Sequence, residues 1–155
     1  MFETSFDIAA QDGAPTGFVF SNDGTRLFVT GAGADEINQY SLEIPFDFSN
    51  VDSVTFDGLF SVASEENVPQ GIAFSNDGLT LFINGSGNDE INQYSLTDAF
   101  DITSGVSFDG LQSVATEAVN STGLTFNADG TRLFVIGNTG DSIDCLLYTS
   151  PSPRD

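Results

Sequence analysis

Short apolar runs bounded by turn residues organise this chain. Gly-Phe-Val-Phe at 17–20 is followed by Asn22-Asp23-Gly24, and Leu-Phe-Val at 27–29 by a glycine-rich stretch at 31–33. Glu-Ile-Asn-Gln-Tyr-Ser-Leu then fills 36–42. Apolar runs of this length between turn signals predict strands, and no segment carries helix start and stop signals. The pattern repeats. Residues 17–42 read GFVFSNDGTRLFVTGAGADEINQYSL, residues 71–96 GIAFSNDGLTLFINGSGNDEINQYSL, and residues 123–144 GLTFNADGTRLFVIGNTGDSID. Gly17, Gly71 and Gly123 set periods of 54 and 52 residues, in the range of solenoids and propellers.

Each unit predicts four strands. The first begins at Gly17, Gly71 or Gly123 and ends at an Asp-Gly turn, which supplies the backbone freedom of a tight hairpin. The second carries Leu27-Phe28-Val29, Leu81-Phe82-Ile83 or Leu133-Phe134-Val135, whose lack of alternation predicts burial on both faces. The third runs Glu36 to Leu42 and Glu90 to Leu96, and a fourth lies near 53–63 and 105–115. The predicted fold class is all-β: a partial β-propeller of four-stranded antiparallel blades, about two and a half of them present.

The run Pro69 to Ile83, Pro-Gln-Gly-Ile-Ala-Phe-Ser-Asn-Asp-Gly-Leu-Thr-Leu-Phe-Ile, resembles the inner two strands of NHL and YVTN-type propeller blades. With Asp-Glu-Ile-Asn-Gln-Tyr-Ser-Leu at 35–42 and 89–96 it is similar to propeller repeats of marine bacterial and phage-derived proteins. The resemblance covers roughly Ser5 to Asp144. It implies a fold more than a function, because propellers host many activities. Its YVTN component implies one alternative, a lactonase-like hydrolase whose calcium-assisted site is built by blades outside this sequence.

The repeat divides the chain into the end of a preceding blade (1–15), a blade at 16–66, a second at 67–118 and a truncated third at 119–144. Ser5 to Ala10 aligns with the fourth strand at Leu59 to Ser64. Residues 145–155, Cys-Leu-Leu-Tyr-Thr-Ser-Pro-Ser-Pro-Arg-Asp, depart from the expected Gln-Tyr-Ser-Leu and resemble a translated transposase-type sequencing adapter. They are read as a non-native tail on a metagenomic fragment.

Composition narrows the chemistry. The 155 residues carry 23 acidic and 3 basic side chains, no histidine, no tryptophan and one cysteine, for a formal charge of -20. The three basic residues are arginines. Without histidine there is no Ser-His-Asp or Cys-His machinery of the usual kind, and without lysine no Schiff base. The charge repels phosphate backbones and anionic membranes, so nucleic acid is excluded as a partner. No apolar run is long enough for membrane insertion, and the start lacks the features of a signal peptide. One cysteine provides no disulfide framework.

Carboxylates and oxygen-rich turns remain. Asp35, Asp89 and Asp141 follow the glycine-rich stretch in successive units and are the candidate metal ligands, for calcium, with no other cofactor expected. Asp23, Asp77 and Asp129 repeat in the Asp-Gly turns and are read as structural, since they lack EF-hand spacing. No unequal carboxylate pair of the kind glycoside hydrolysis needs stands out, because the acids repeat with the unit. Tyr40 and Tyr94 could stack on carbohydrate, but repeated positions favour packing. Phe28, Phe82, Phe134, Phe46 and Phe100 are read as core on the same ground. The expected function is a non-catalytic interaction module, extracellular or on a virion surface, binding a protein or surface ligand. Exposed blade faces would support self-association.

Overall fold

The computed structural model describes residues 4–149. The described chain is built from eleven strands, with a single 3-10 turn at Val51–Ser53. β1 (Pro15–Phe20), β2 (Arg26–Gly31), β3 (Glu36–Leu42) and β4 (Val54–Ser61) pair in that order into one antiparallel sheet. β5 (Pro69–Phe74), β6 (Thr80–Gly85), β7 (Glu90–Leu96) and β8 (Val106–Ser113) form a second. β9 (Val119–Phe126), β10 (Arg132–Thr139) and β11 (Ile143–Leu147) form a third, with β11 at its edge.

The Asp-Gly turns fold as their sequence demands. Gly24, Gly78 and Gly130 lie at φ 72°, 72° and 71°, a conformation that glycine adopts without Cβ strain. Asp23 accepts from the Thr25 N–H at 3.0 Å, Asp77 from Leu79 at 3.0 Å and Asp129 from Thr131 at 3.0 Å. The register is repeated as well: Leu27 faces Tyr40 and Leu81 faces Tyr94, and both units carry a bulge opposite the Gln-Tyr step. β11 continues this register across position 144, with Phe134 opposite Cys145 and Leu133 opposite Leu146.

The sheets stack face on face. One face of the first sheet, through Phe28 and Ile37, meets Ile72, Phe74, Leu81 and Ile83 of the second. The opposite face of the second sheet, through Phe82 and Ile91, meets Leu133 and Val135 of the third. The ring pairs Phe28–Phe74 (4.6 Å) and Phe82–Phe126 (5.0 Å) mark equivalent points of the two junctions. β1 lies against β5 and β5 against β9, so the first strand of each sheet forms the inner side. There the backbones approach closely: a Cβ on Gly17 would stand 2.4 Å from the Gln70 carbonyl oxygen. Three antiparallel sheets stacked radially, each starting from its inner strand, make an all-β fold of the β-propeller type.

Residues 4–8 form no strand, yet Phe6 meets Tyr40 edge-on at 5.3 Å as Phe60 meets Tyr94 at 5.4 Å. The outer faces are covered only in part among the described residues: Phe6 and Phe48 pack over Leu27, Val29 and Tyr40, but Phe18 is 69% and Ile143 70% exposed, where the equivalent Ile72 is 6% and Ile91 3% exposed. The open flank also corrects one core assignment. Phe46 is 57% exposed, because no sheet covers its flank, whereas Phe100 sits beside Phe74 at 5.2 Å with Arg26 bonded to its carbonyl oxygen. Phe28 and Phe82 are buried and Phe134 half-buried.

Candidate functional site

The two ends of the sheets differ. At one end the β1–β2, β5–β6 and β9–β10 turns are linked in series, since the Asn22 Nδ2 donates to the Asn76 carbonyl at 2.8 Å and the Asn76 Nδ2 to Ala128 at 3.0 Å. Here the turn hydroxyls and N–H groups hold the carboxylates below their usual range. The Ser21 hydroxyl, then the Thr25 N–H and hydroxyl, bring Asp23 down to about 2. Ser75 and Leu79 lower Asp77, and Thr131 lowers Asp129. These acids are spent on their own turns.

The opposite end gathers the β2–β3 and β6–β7 turns with the connections that cross from sheet to sheet. Asp35, Asp89 and Asp141 lie here, one per sheet, at φ 54°, 55° and 52°. They sit in turns ahead of the strands, so strand alternation does not govern their direction. The structure does not bring them together: among the described residues no three acidic or cysteine side chains form a group that could hold a metal ion.

The acids that do organise this end are Asp12 and Glu66, which the sequence reading passed over. Both are buried, at 3% and 0% exposure. The Glu66 Oε1 accepts from the Val68 N–H at 2.8 Å and the Gly87 N–H at 3.1 Å, clasping the sheet-to-sheet connection to the β6–β7 turn. The Asp12 Oδ1 accepts from Ala14 at 2.6 Å. Each carboxylate lies where a Cβ on Gly31 or Gly85 would stand, within 2.4 Å. Beside them on the same sheet face are Asn38 and Asn92, fully buried, whose amide atoms have no partner.

The third sheet has Ala118 at this position. Without a carboxylate beside it, the Asn120 N–H donates to Asp89 Oδ1 of the preceding turn at 2.6 Å. That explains a difference between repeats: Asp35 Oδ1, the equivalent atom one sheet earlier, is buried without a partner. The only sequence signal is that Asp12 and Glu66 each stand five residues before a repeat glycine and Ala118 breaks the series.

The tyrosines belong to packing. Burial, with Asp12 adding to it, pushes the Tyr40 phenol up to about 12, and burial with Glu65 raises Tyr94. Tyr94 donates to Glu65 Oε2 at 3.4 Å. A cavity of about 300 Å³ opens between the second and third sheets, lined by Ile91, Gln93, Gly110, Gln112, Leu146 and Tyr148 among others.

No protein-family model and no curated protein sequence matches the chain. Solved structures do. Hydrazine synthase of Kuenenia stuttgartiensis superposes with a TM-score of 0.64 at 15% identity, over 88% of this chain and 33% of its own. The periplasmic gluconolactonase PpgL of Pseudomonas aeruginosa gives 0.61 at 18% identity, over 87% of this chain and 36% of its own. The β-propeller domain of Cps50 (Swd1) from Myceliophteria thermophila gives 0.58 at 10% identity, over 86% and 37%. The fold is that of a β-propeller. The chain spans between a third and two-fifths of these neighbours' length.

Proposed function

We propose that this chain serves as a non-catalytic binding scaffold, part of a propeller that presents its sheet-to-sheet connections and β2–β3, β6–β7 turns to a protein or surface partner. One observation carries this reading. The repeated carboxylates act as clasps and caps for their own backbone: Asp23, Asp77 and Asp129 in the turns, Asp12 and Glu66 in the connections. An acid so committed is unsuited to exchange protons with a substrate. The opposite end is tied by its asparagine series, which leaves the connection end, with half-buried Glu36 and Glu65 and exposed Asn88 and Glu117, as the presenting surface.

The test is an array of glycans and peptides probed with the full chain in about 0.15 M salt, where long-range charge effects are screened. Lactone hydrolysis with and without calcium is assayed in parallel. Saturable binding weakened by Glu65→Gln or Asn88→Ala but not by Asp52→Asn, without turnover, supports the reading. Calcium-dependent turnover lost in Asp35→Asn or Asp89→Asn overturns it and favours the hydrolase.

A further inference from the structure

We propose that the first junction holds a hard divalent cation, calcium before others, between the Glu66 Oε2, the Asp35 Oδ1 and the Asn92 side-chain oxygen. The inference goes beyond the scaffold reading, since the cation would tie one sheet to the next rather than serve a substrate.

The two carboxylates converge through the connection between β4 and β5. The Val62 N–H donates to the Asp35 carbonyl at 2.9 Å, and the Val62 carbonyl accepts from the Glu66 N–H at 2.8 Å. One residue therefore links the turn of the first sheet to the acid that enters the second. The next repeat shows where the Asp35 side chain points. The same links recur there, from Val114 to Asp89 at 2.9 Å and from Ala118 to Val114 at 2.7 Å, at nearly the same aspartate φ (54° and 55°). Asp89 Oδ1 then takes the Asn120 N–H at 2.6 Å. Asn120 is the equivalent of Val68, three residues before the repeat glycine. In the first junction that N–H goes to Glu66 Oε1 at 2.8 Å. Asp35 Oδ1 and the Glu66 carboxylate thus stand around one N–H, and only Glu66 receives it.

The amide completes the group. Asn92 lies opposite Ile83, on the face that meets Phe28 and Ile37. Gly85, two residues beyond Ile83, is its diagonal neighbour there, and the Glu66 carboxyl carbon occupies the place of a Gly85 Cβ. Side chains so placed are within reach of one another. Asn92 and Glu66 are both 0% exposed. Neither amide atom of Asn92 has a partner, nor has Glu66 Oε2 or the buried Asp35 Oδ1. Toward the other end the junction is plugged by Ile102 of the β7–β8 loop, 1% exposed, whose N–H donates to the Gln39 Oε1 at 2.9 Å.

Two carboxylates at one buried place call for positive charge. The described arginines do not supply it: Arg26 reaches the Phe100 carbonyl oxygen and Asp101, and Arg132 the Cys145 sulfur. The negative field is felt at Tyr94, whose phenol is raised by burial first, with Glu65 and Glu66 adding to it. Three oxygen donors, two of them charged, suit calcium, which takes carboxylate and amide oxygens and completes its shell with water. Half-buried Asp35 stands at the mouth and gives a route in. The second junction lacks these donors, because Ala118 stands for Glu66 and Asp89 Oδ1 is taken.

The experiment titrates calcium into the metal-stripped full 155-residue chain by calorimetry, without any substrate, so its failure is distinct from that of the scaffold reading. Sodium chloride at about 0.15 M screens the general attraction of an acidic chain for cations. One ion per chain is expected, at a dissociation constant of about 1 mM or below. A ten- to hundredfold excess over that constant should raise the thermal midpoint by about 3–10 °C. Glu66→Gln keeps an acceptor for the Val68 and Gly87 N–H groups while removing the charge, and Asp35→Asn leaves that clasp untouched. Each should weaken calcium at least about tenfold, with the calcium-free midpoint unchanged or higher. Asp89→Asn, the same position one repeat on, should bind within about twofold of the parent. No binding at about 5 mM calcium, several weak ions per chain, or an equal loss in Asp89→Asn overturns the proposal.

Discussion

The junction between the first and second sheets and the junction between the second and third use nearly the same strand sequences, yet they are closed differently. The first has the Glu66 clasp, the edge-on Phe60–Tyr94 pair at 5.4 Å and the Ile102 plug on Gln39. The second has Ala118, with Gln112 and Leu146 in place of the aromatic pair, and among the described residues a cavity of about 300 Å³ between the sheets. Stacking of apolar faces is common to both, so it accounts for the fold. The closing groups come from loops, and they set how tightly each pair of sheets is held.

The sharpest way to break this contrast is to remove the plug. Ile102→Ala should cost about 2–4 kcal/mol of stability in urea unfolding, from lost burial and the cavity left behind. A cost below about 1 kcal/mol would mean that the loop does not lock the first junction. Next comes the clasp. Glu66→Ala leaves the Val68 and Gly87 N–H groups without their acceptor and should cost about 1–3 kcal/mol. Ala118→Glu should recover no such gain, because the Asn120 N–H already donates to Asp89. A stabilised Ala118→Glu variant would contradict the exchange of partners between repeats.

A finer comparison sets Asp35→Gly against Asp89→Gly. Both relieve a left-handed backbone at φ 54° and 55°, so the backbone gain cancels. Only Asp89 loses a hydrogen bond, and its variant should be less stable by about 1 kcal/mol. Thermal unfolding of the pair under one buffer reads the difference.

The smallest effect is acid sensitivity, which the account assigns to the turns of both junctions alike. Asp23 has a folded pKa of about 2, below the ordinary 3.8, and Asp77 and Asp129 are shifted the same way. The unfolded chain therefore binds protons first as pH falls. The stabilisation is complete above the ordinary carboxylate range and is lost between about pH 4 and 2. Asp23→Asn should flatten the acid limb of a stability–pH curve, and an unchanged limb would remove the turn from the account.

Much of this fold was legible in the chain. Gly17, Gly71 and Gly123 gave the period, the Asp-Gly turns gave the hairpins, and Leu-Phe-Val runs gave strands buried on both faces. The junctions were harder. Ile102 carries no local mark of a plug, since its partner Gln39 is distant in sequence, and Phe46 matches Phe100 in pattern while lying on an uncovered flank. Glu66 reads as one more surface acid in an acidic chain; burial appears only when its connection folds onto Gly85 and Gly87. Asp35, Asp89 and Asp141 were located by repetition, but repetition says nothing of convergence, and Asp89 is bonded to the Asn120 N–H of the next connection.

The most direct test is native-state hydrogen exchange resolved by residue. If the first junction is locked and the second is not, amides of β10 and β11 exchange through openings of lower free energy than those of β2, β3, β6 and β7, and the Ile102 amide ranks with the slowest. Uniform protection across the three sheets, or a fast Ile102 amide, would contradict the account.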